Sequence, residues 1–301
     1  MTRDGAGGGT VLGQQPARPQ PALTSASAMT EKEAAENFPV ALRMLPRRYR
    51  THLMAVYTYA RTVDDVGDEA PPDERLALLA GLREDLDRLY AGRPGSPPAD
   101  PAVRGLASVV ADCAIPVGPF RDLIAANEQD QVVFRYQTFD DLLGYCQLSA
   151  NPVGQIVLYV FGCYTPERAS LSDAVCSALQ VIEHLQDVAE DFRAGRVYLP
   201  LDDLRRHGCS EQDLAGTATP ARLRELIAAE AGRAAELLAT GAPLVGQLRG
   251  AARVAVAGYL AGGRAALAAL ARARYDVLAV TPRPSKRRTA AAFASALVRG
   301  R

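Results

Sequence analysis

Charge of one sign is what this 301-residue chain lacks first: 34 lysines and arginines balance 34 aspartates and glutamates. No global field draws in nucleic acid, so none is expected as a partner, and recognition of charged ligands falls to local clusters. Cysteine is sparse as well. Cys113, Cys146, Cys163, Cys176 and Cys209 are odd in number, widely spaced and without a Cys-x-x-Cys pair. That pattern argues against a disulfide framework and a zinc site, and it fits a reducing cytoplasm. The chain has neither a glycine-rich dinucleotide fingerprint nor a Walker loop, so nothing in it supports NADPH use. The three histidines, His52, His184 and His207, form no Ser-His-Asp or metal-spacing pattern and read as structural or exposed. Long hydrophobic runs are missing too: no stretch approaches the ~18 uncharged apolar residues of a spanning helix, and arginines interrupt the alanine-rich tracts. The expectation is a soluble cytoplasmic protein, at most peripheral to a membrane.

What is present is helical. With 48% hydrophobic residues the chain can bury a substantial core. Residues 1–30 are rich in Gly, Ala, Pro, Ser and Gln, have no apolar signal-peptide core, and read as a disordered leader ahead of one domain at 31–301. From Glu31 onward apolar residues recur at three- and four-residue spacing between Pro and Gly clusters, and period-two strands are scarce. The spacing predicts helices near 31–44, 47–68, 73–90, 101–113, 117–134, 138–148, 152–162, 170–192, 201–207, 220–238, 242–274 and 285–298. The alanine- and arginine-rich region 220–274 is expected to pack closely through small residues. An all-α fold follows, a single helical bundle whose sites project from facing helices into a central apolar cavity.

Two acidic stripes stand out. In Ala55–Glu69, Asp64 and Asp68 lie four apart and Arg61 three before Asp64, so on a helix they share a face. Two such carboxylates repel unless a cation compensates, and magnesium suits hard oxygen ligands that it can bridge to phosphate. A solvated acidic helix end would look the same. In Ala178–Asp191, Gln180, Glu183, Asp187 and Asp191 repeat that logic on a second helix, set among Val181, Ile182, Leu185 and Val188. Burying that line without cations would be prohibitive, so the pair reads as a two-sided cradle for divalent ions and a diphosphate. A basic and aromatic set accompanies it: Arg193, Arg196 and Tyr198, with Arg47, Arg48, Arg283 and Lys286. Arginine suits bidentate phosphate contacts, although any one of these fits an ordinary surface. In Leu142–Gly154 a helix is interrupted at Asn151-Pro152; its Tyr145, with Tyr57, Tyr59 and Tyr136, either lines a pocket that stabilises positive charge or simply packs the core.

Together, Tyr-x-x-Ala-Arg-x-x-Asp-Asp-x-x-Asp, Gln-Asp-x-x-x-Asp and Gly-Arg-x-Tyr-Leu-Pro resemble the squalene/phytoene synthase family over about residues 35–290. Glu36–Ala41, Ser149–Gly154 and Gly262-Gly263 ahead of Tyr275-Asp-Val-Leu resemble its HpnC-type branch, the hydroxysqualene synthases of bacterial squalene and hopanoid biosynthesis. The resemblance implies an isoprenoid synthase fold and three magnesium ions held by Asp64, Asp68, Asp187 and Asp191. It implies a diphosphate contacted by Arg61, Arg196, Tyr198 and Arg283, with Tyr145 beside a cationic intermediate. The implied substrate is presqualene diphosphate, supplied by a sister enzyme, with water capturing the rearranged cation. Glu183 stands where the family usually has asparagine; it can still bind magnesium but adds negative charge. Competing readings are condensation of two prenyl diphosphates, a non-catalytic scaffold for sister pathway enzymes, and a helical nucleotide pyrophosphohydrolase. Peripheral membrane contact is a further expectation, with Lys286-Arg-Arg288 as its only basic anchor.

Overall fold

The computed structural model describes residues 45–92 and 95–284, together with Thr289, Ala292, Phe293 and Ala296. The expected leader, the helix at 31–44, most of the helix at 285–298, the Glu36–Ala41 motif and Lys286–Arg288 lie outside the described residues. In chain order the helices are α1 Arg47–Glu69, α2 Arg75–Ala91, α3 Pro101–Gly105, α4 Ala107–Cys113, α5 Gly118–Gln129, α6 Phe139–Ser149 and α7 Asn151–Val160. They continue with α8 Pro166–Gln186, α9 Val188–Arg193, α10 Leu201–Arg206, α11 Ala221–Gly241, α12 Leu244–Gln247 and α13 Gly250–Arg272, with a 3-10 turn at Glu211–Ala215. The only extended pairing among the described residues is one isolated parallel bridge between Arg135 and Val197.

Local chemistry sets several helix ends. Thr138 and Asp141 form a capping box at the start of α6, Thr165 caps α8 through the amide of Arg168, and Asp100 accepts from the amides of Ala102 and Val103 ahead of α3. The periodic stretches break where the spacing predicts continuity. The stretch 101–113 divides at Leu106 and 242–274 divides before Gly250, whose φ of 54° suits a residue without Cβ. The predicted helix 117–134 ends at Gln129, because Phe134 to Gln137 leaves the helix and pairs with the segment after α9. There Val197 N donates to Phe134 O at 3.0 Å, and Leu201 N to Tyr136 O at 3.0 Å. This strap, 131–137 against 195–202, ties the end of α5 to the chain leaving α9.

The long helix α8 is central, packing against α7, α11 and α13. Toward one end its Val181, Ile182 and Leu185 join Leu223, Leu226, Ile227 and Leu270 in one apolar cluster. Toward the other, Val175 and Ala178 join Leu158, Leu238, Leu244 and Leu260 in a second. Each such valine, leucine or isoleucine, fully buried, contributes roughly 1.5–3 kcal/mol, and the helix so anchored turns its acidic stripe to the remaining side. The helix α13 is long and apolar enough to cross a membrane by length and composition alone, yet more than half of that stretch is buried within the fold.

Small residues allow the close approach expected of 220–274. A Cβ added at Gly241 would lie 2.6 Å from the carbonyl oxygen of Leu171 on α8, whereas one added at Gly232 on the same helix meets nothing within 4 Å. Gly241→Ala should therefore cost about 1–3 kcal/mol through overpacking, while Gly232→Ala should be neutral or stabilising by up to about 1 kcal/mol through helix propensity. Denaturant titration of the two variants checks this, with equal effects counting against the packing account.

Candidate active site

The two acidic stripes face one cavity of about 330 Å³. Asp64, Asp68 and Arg61 line it from α1, and Gln180, Glu183, His184, Asp187 and Asp191 from α8 and α9. Leu123, Ala126, Asn127 and Asp130 from the end of α5, Tyr145 and Ser149 from α6, and Arg196 and Tyr198 from the strap complete it. The expected apolar cavity is thus corrected: its lining is predominantly polar, with Leu123 and Ala126 as its aliphatic members.

The second stripe does not ride on one continuous helix. The predicted helix 170–192 divides at Asp187, whose ψ of 16° interrupts it between α8 and α9. The register survives because Asp187 N donates to Glu183 O at 3.0 Å and Asp191 N to Asp187 O at 2.8 Å. Glu183, Asp187 and Asp191 therefore still open onto the same cavity.

The wall formed by α1 approaches α5 closely. Gly67 is buried, and a Cβ there would collide with the side chain of Asn127. That contact leaves Asn127 Nδ2 donating to Asp64 Oδ1 at 3.1 Å, while Gln131 Nε2 donates to Gly67 O at 3.1 Å. Asp64 opens to the cavity but is enclosed by protein; burial pushes its carboxyl up to about 6, against the hydrogen bond from Asn127, with the Asp68 charge adding to the rise. Asp187 is likewise raised, by burial first and then by the negative charges of Asp191 and Glu190.

Cations sit between and beside these carboxylates. Arg196 Nη2 lies 2.9 Å from Asp68 Oδ1, joining the strap to α1. Arg61 lines the cavity while pairing at 2.6 Å with Asp65 and at 3.5 Å with Glu69. Arg283 is exposed, and its charge reaches Asp187; Gln186 Nε2 bonds the carbonyl of the preceding Pro282. Arg47 and Arg48 do not join the site. They begin α1, about 24 Å along the helix from Asp64 at 1.5 Å per residue, and the exposed Arg193 is not among the lining residues either.

Aromatic rings cover one side of the cavity. Tyr198 stacks on His184 at 3.6 Å between centroids and on Tyr136 at 5.7 Å, and Tyr145 lies 5.7 Å from Tyr198. Burial holds the phenols of Tyr145 and Tyr198 well above their ordinary value, so both stay neutral hydrogen-bonding groups. Tyr57 and Tyr59 are not cavity residues: Tyr59 is fully buried against Phe120 and donates to its carbonyl. His184, expected to be structural or exposed, lines the cavity, with Nδ1 3.7 Å from Asp191 Oδ2. His207 and His52 lie elsewhere, His52 between Asp112 and Cys113.

Asn127 and Asp130 line the cavity although no sequence motif announces them. They sit in the polar run Asn127 to Gln131, which reads as an ordinary helix end. The donor set as a whole fits a hard divalent ion: opposed carboxylates, two of them with pKa raised by burial first and by neighbouring negative charge second. Among the described residues no three His, Cys, Asp or Glu side chains converge to hold an ion.

Because the folded carboxyl of Asp64 titrates near 6 and an unfolded aspartate near 3.9, the native state binds more protons between those values. Stability contributed at this site therefore falls as pH rises through that window. In EDTA-containing buffer, Asp64→Asn should raise the thermal midpoint above pH 6 and leave it unchanged near pH 4; an equal shift at both pH values would count against this origin.

The squalene/phytoene synthase family profile matches residues 32–290. Over 230 residues the chain is 35% identical to a hydroxysqualene synthase of Rhodopseudomonas palustris, covering 75% of this chain and 77% of that one. It is 33% identical over 221 residues to a phytoene synthase of Mycobacterium bovis, covering 72% and 71% of the two chains. Squalene synthase HpnC from Alicyclobacillus acidocaldarius superposes with a TM-score of 0.75 at 38% identity, covering 83% of this chain and 93% of that one. With paired acidic walls on an isoprenoid synthase fold, this chain belongs to the squalene/phytoene synthase family and is an enzyme that processes prenyl diphosphates.

Proposed function

We propose that the protein ionises presqualene diphosphate and directs water onto the rearranged cation, giving hydroxysqualene and diphosphate. The observation that carries the reading is the opposition of two carboxylate walls across one cavity beside a stacked Tyr136–Tyr198–His184 group and Tyr145. A diphosphate leaving group needs neutralised charge, and the cation it leaves behind needs polarisable faces without a competing nucleophile. The relative from Rhodopseudomonas palustris, named a hydroxysqualene synthase, favours water capture as the closing step.

Magnesium, required by such a leaving group, would be held by Asp64, Asp68, Glu183, Asp187 and Asp191, and when bound it would supply Lewis-acid neutralisation of the diphosphate. In this reading Arg196, Arg61, Arg283 and the Tyr198 hydroxyl orient the phosphate oxygens, and the Tyr145 ring supports the cation. Releasing Arg196 from Asp68 frees its guanidinium for phosphate. Presqualene diphosphate would come from an enzyme that condenses two farnesyl diphosphates, and a separate reductase would use the product. Association with those enzymes and contact with a membrane surface suit so apolar a product, and the reaction consumes no NADPH.

Incubation of the purified protein with presqualene diphosphate and magnesium should yield a C30 alcohol that disappears with EDTA and in Asp64→Ala and Asp187→Ala. Consumption of farnesyl or geranylgeranyl diphosphate instead would replace this reading with head-to-head condensation, the chemistry that the Mycobacterium bovis relative's name points to. Glu183→Asn removes one charge facing the ions; at an interaction of about 1 kcal/mol or more per charge pair, the half-saturating magnesium concentration should rise about tenfold. Magnesium dependence unchanged in that variant would remove Glu183 from the ion-binding set.

A further inference from the structure

Asp130 ends α5 as a carboxylate outside both acidic motifs, 8% exposed and lining the cavity. Its Oδ2 accepts a hydrogen bond from the Tyr145 hydroxyl at 2.7 Å. Its Oδ1 is buried with no hydrogen-bond partner among the described residues. Leaving a buried carboxylate oxygen without a donor is unfavourable, so such an atom points to a donor that the protein itself does not supply. Asp130 lines the cavity, so a donor bound there, of which a water molecule is the smallest, is the one that can approach Oδ1.

The surroundings say what that water would meet. Tyr145, which holds Asp130, belongs to the ring group with Tyr136, Tyr198 and His184. Those faces are where a carbocation is best accommodated. Burial pushes the Asp130 carboxyl up to about 6, against the Tyr145 hydrogen bond and the Arg196 charge. A carboxyl so placed exchanges a proton near neutral pH more readily than an ordinary aspartate.

Resting on the hydroxysqualene reading above, we propose that Asp130 is a further catalytic residue, holding through Oδ1 the water that captures the cation and accepting its proton. The water oxygen forms the new carbon–oxygen bond while one of its O–H bonds breaks. The electron pair of that bond stays on oxygen, and the proton passes to Asp130, leaving a neutral alcohol and a neutral carboxyl that later returns the proton to solvent. Without a held water the cation is quenched by loss of a proton from an adjacent carbon, which gives an alkene. Tyr145 is a positioning residue in this step, fixing the carboxylate through Oδ2.

The test measures diphosphate release and the alcohol-to-alkene ratio from presqualene diphosphate and magnesium, for the full chain and for Asp130→Asn and Tyr145→Phe. Because the ratio is taken among turned-over molecules, partial loss of folded protein does not move it. Asp130→Asn should still release diphosphate while its alcohol-to-alkene ratio falls at least about tenfold, and Tyr145→Phe should shift the ratio in the same direction by less. An unchanged ratio in Asp130→Asn, or diphosphate release abolished in both variants while each retains the parent's helix content, overturns the inference and leaves the hydroxysqualene reading standing. A parent protein that makes no alcohol overturns that reading and the inference with it.

Discussion

The arrangement on which everything else depends is the confinement of like charges: Asp64, Asp68, Asp130, Glu183, Asp187 and Asp191 all line one cavity. Repulsion among them, and the loss of solvent around Asp64 and Asp130, work against the folded state. They are held by what lies behind them. Val63 of α1 and Val181, Ile182, Leu185 and Val188 of the opposite wall are buried, so each acidic face is the reverse of an apolar one. The site is a local cost carried by a large core, the usual relation between stability and a preorganised functional site.

Few direct contacts offset that cost. Asn127 bonds Asp64, Arg196 pairs with Asp68, and Arg61 turns toward Asp65 and Glu69. An exposed pair contributes little to stability; the value of the Arg196–Asp68 pair lies in geometry, since it ties the strap to α1. The strap is anchored at its far end by a buried charged group. Asp203 on α10 pairs with Arg206 and, at 2.6 Å, with Arg233, which also reaches Glu230 at 3.1 Å. Burial pushes the Glu230 carboxyl up. Such a cluster adds little net stability for its desolvation cost, and its effect here is to fix the register of the chain carrying Arg196 and Tyr198 onto α11.

Much of this was legible in the chain because helices and their faces are local properties. The three- and four-residue spacing around Asp64 and Asp68, and from Gln180 to Asp191, put those groups on common faces, and the structure sets both faces on one cavity. The division at Asp187 was not legible, since its neighbours are good helix formers and the interruption lies where α8 gives way to α9 at the cavity wall. The end of α5 at Gln129 was hidden for a related reason: the strap pairing that replaces the helix uses residues some 60 positions away.

The sequence by itself determined the helical class, the two acidic stripes with Arg196 and Tyr198 behind them, and the family to which those motifs belong, because periodicity and short-range spacing encode them. Only the tertiary structure decided that Arg47 and Arg48 stand apart while His184, Asn127 and Asp130 line the cavity, and that the lining is polar. Those outcomes depend on which helices approach and how closely. Gly67 against Asn127 and Tyr145 against Asp130 bring together residues 60 and 15 positions apart, and no local pattern specifies a contact between different elements.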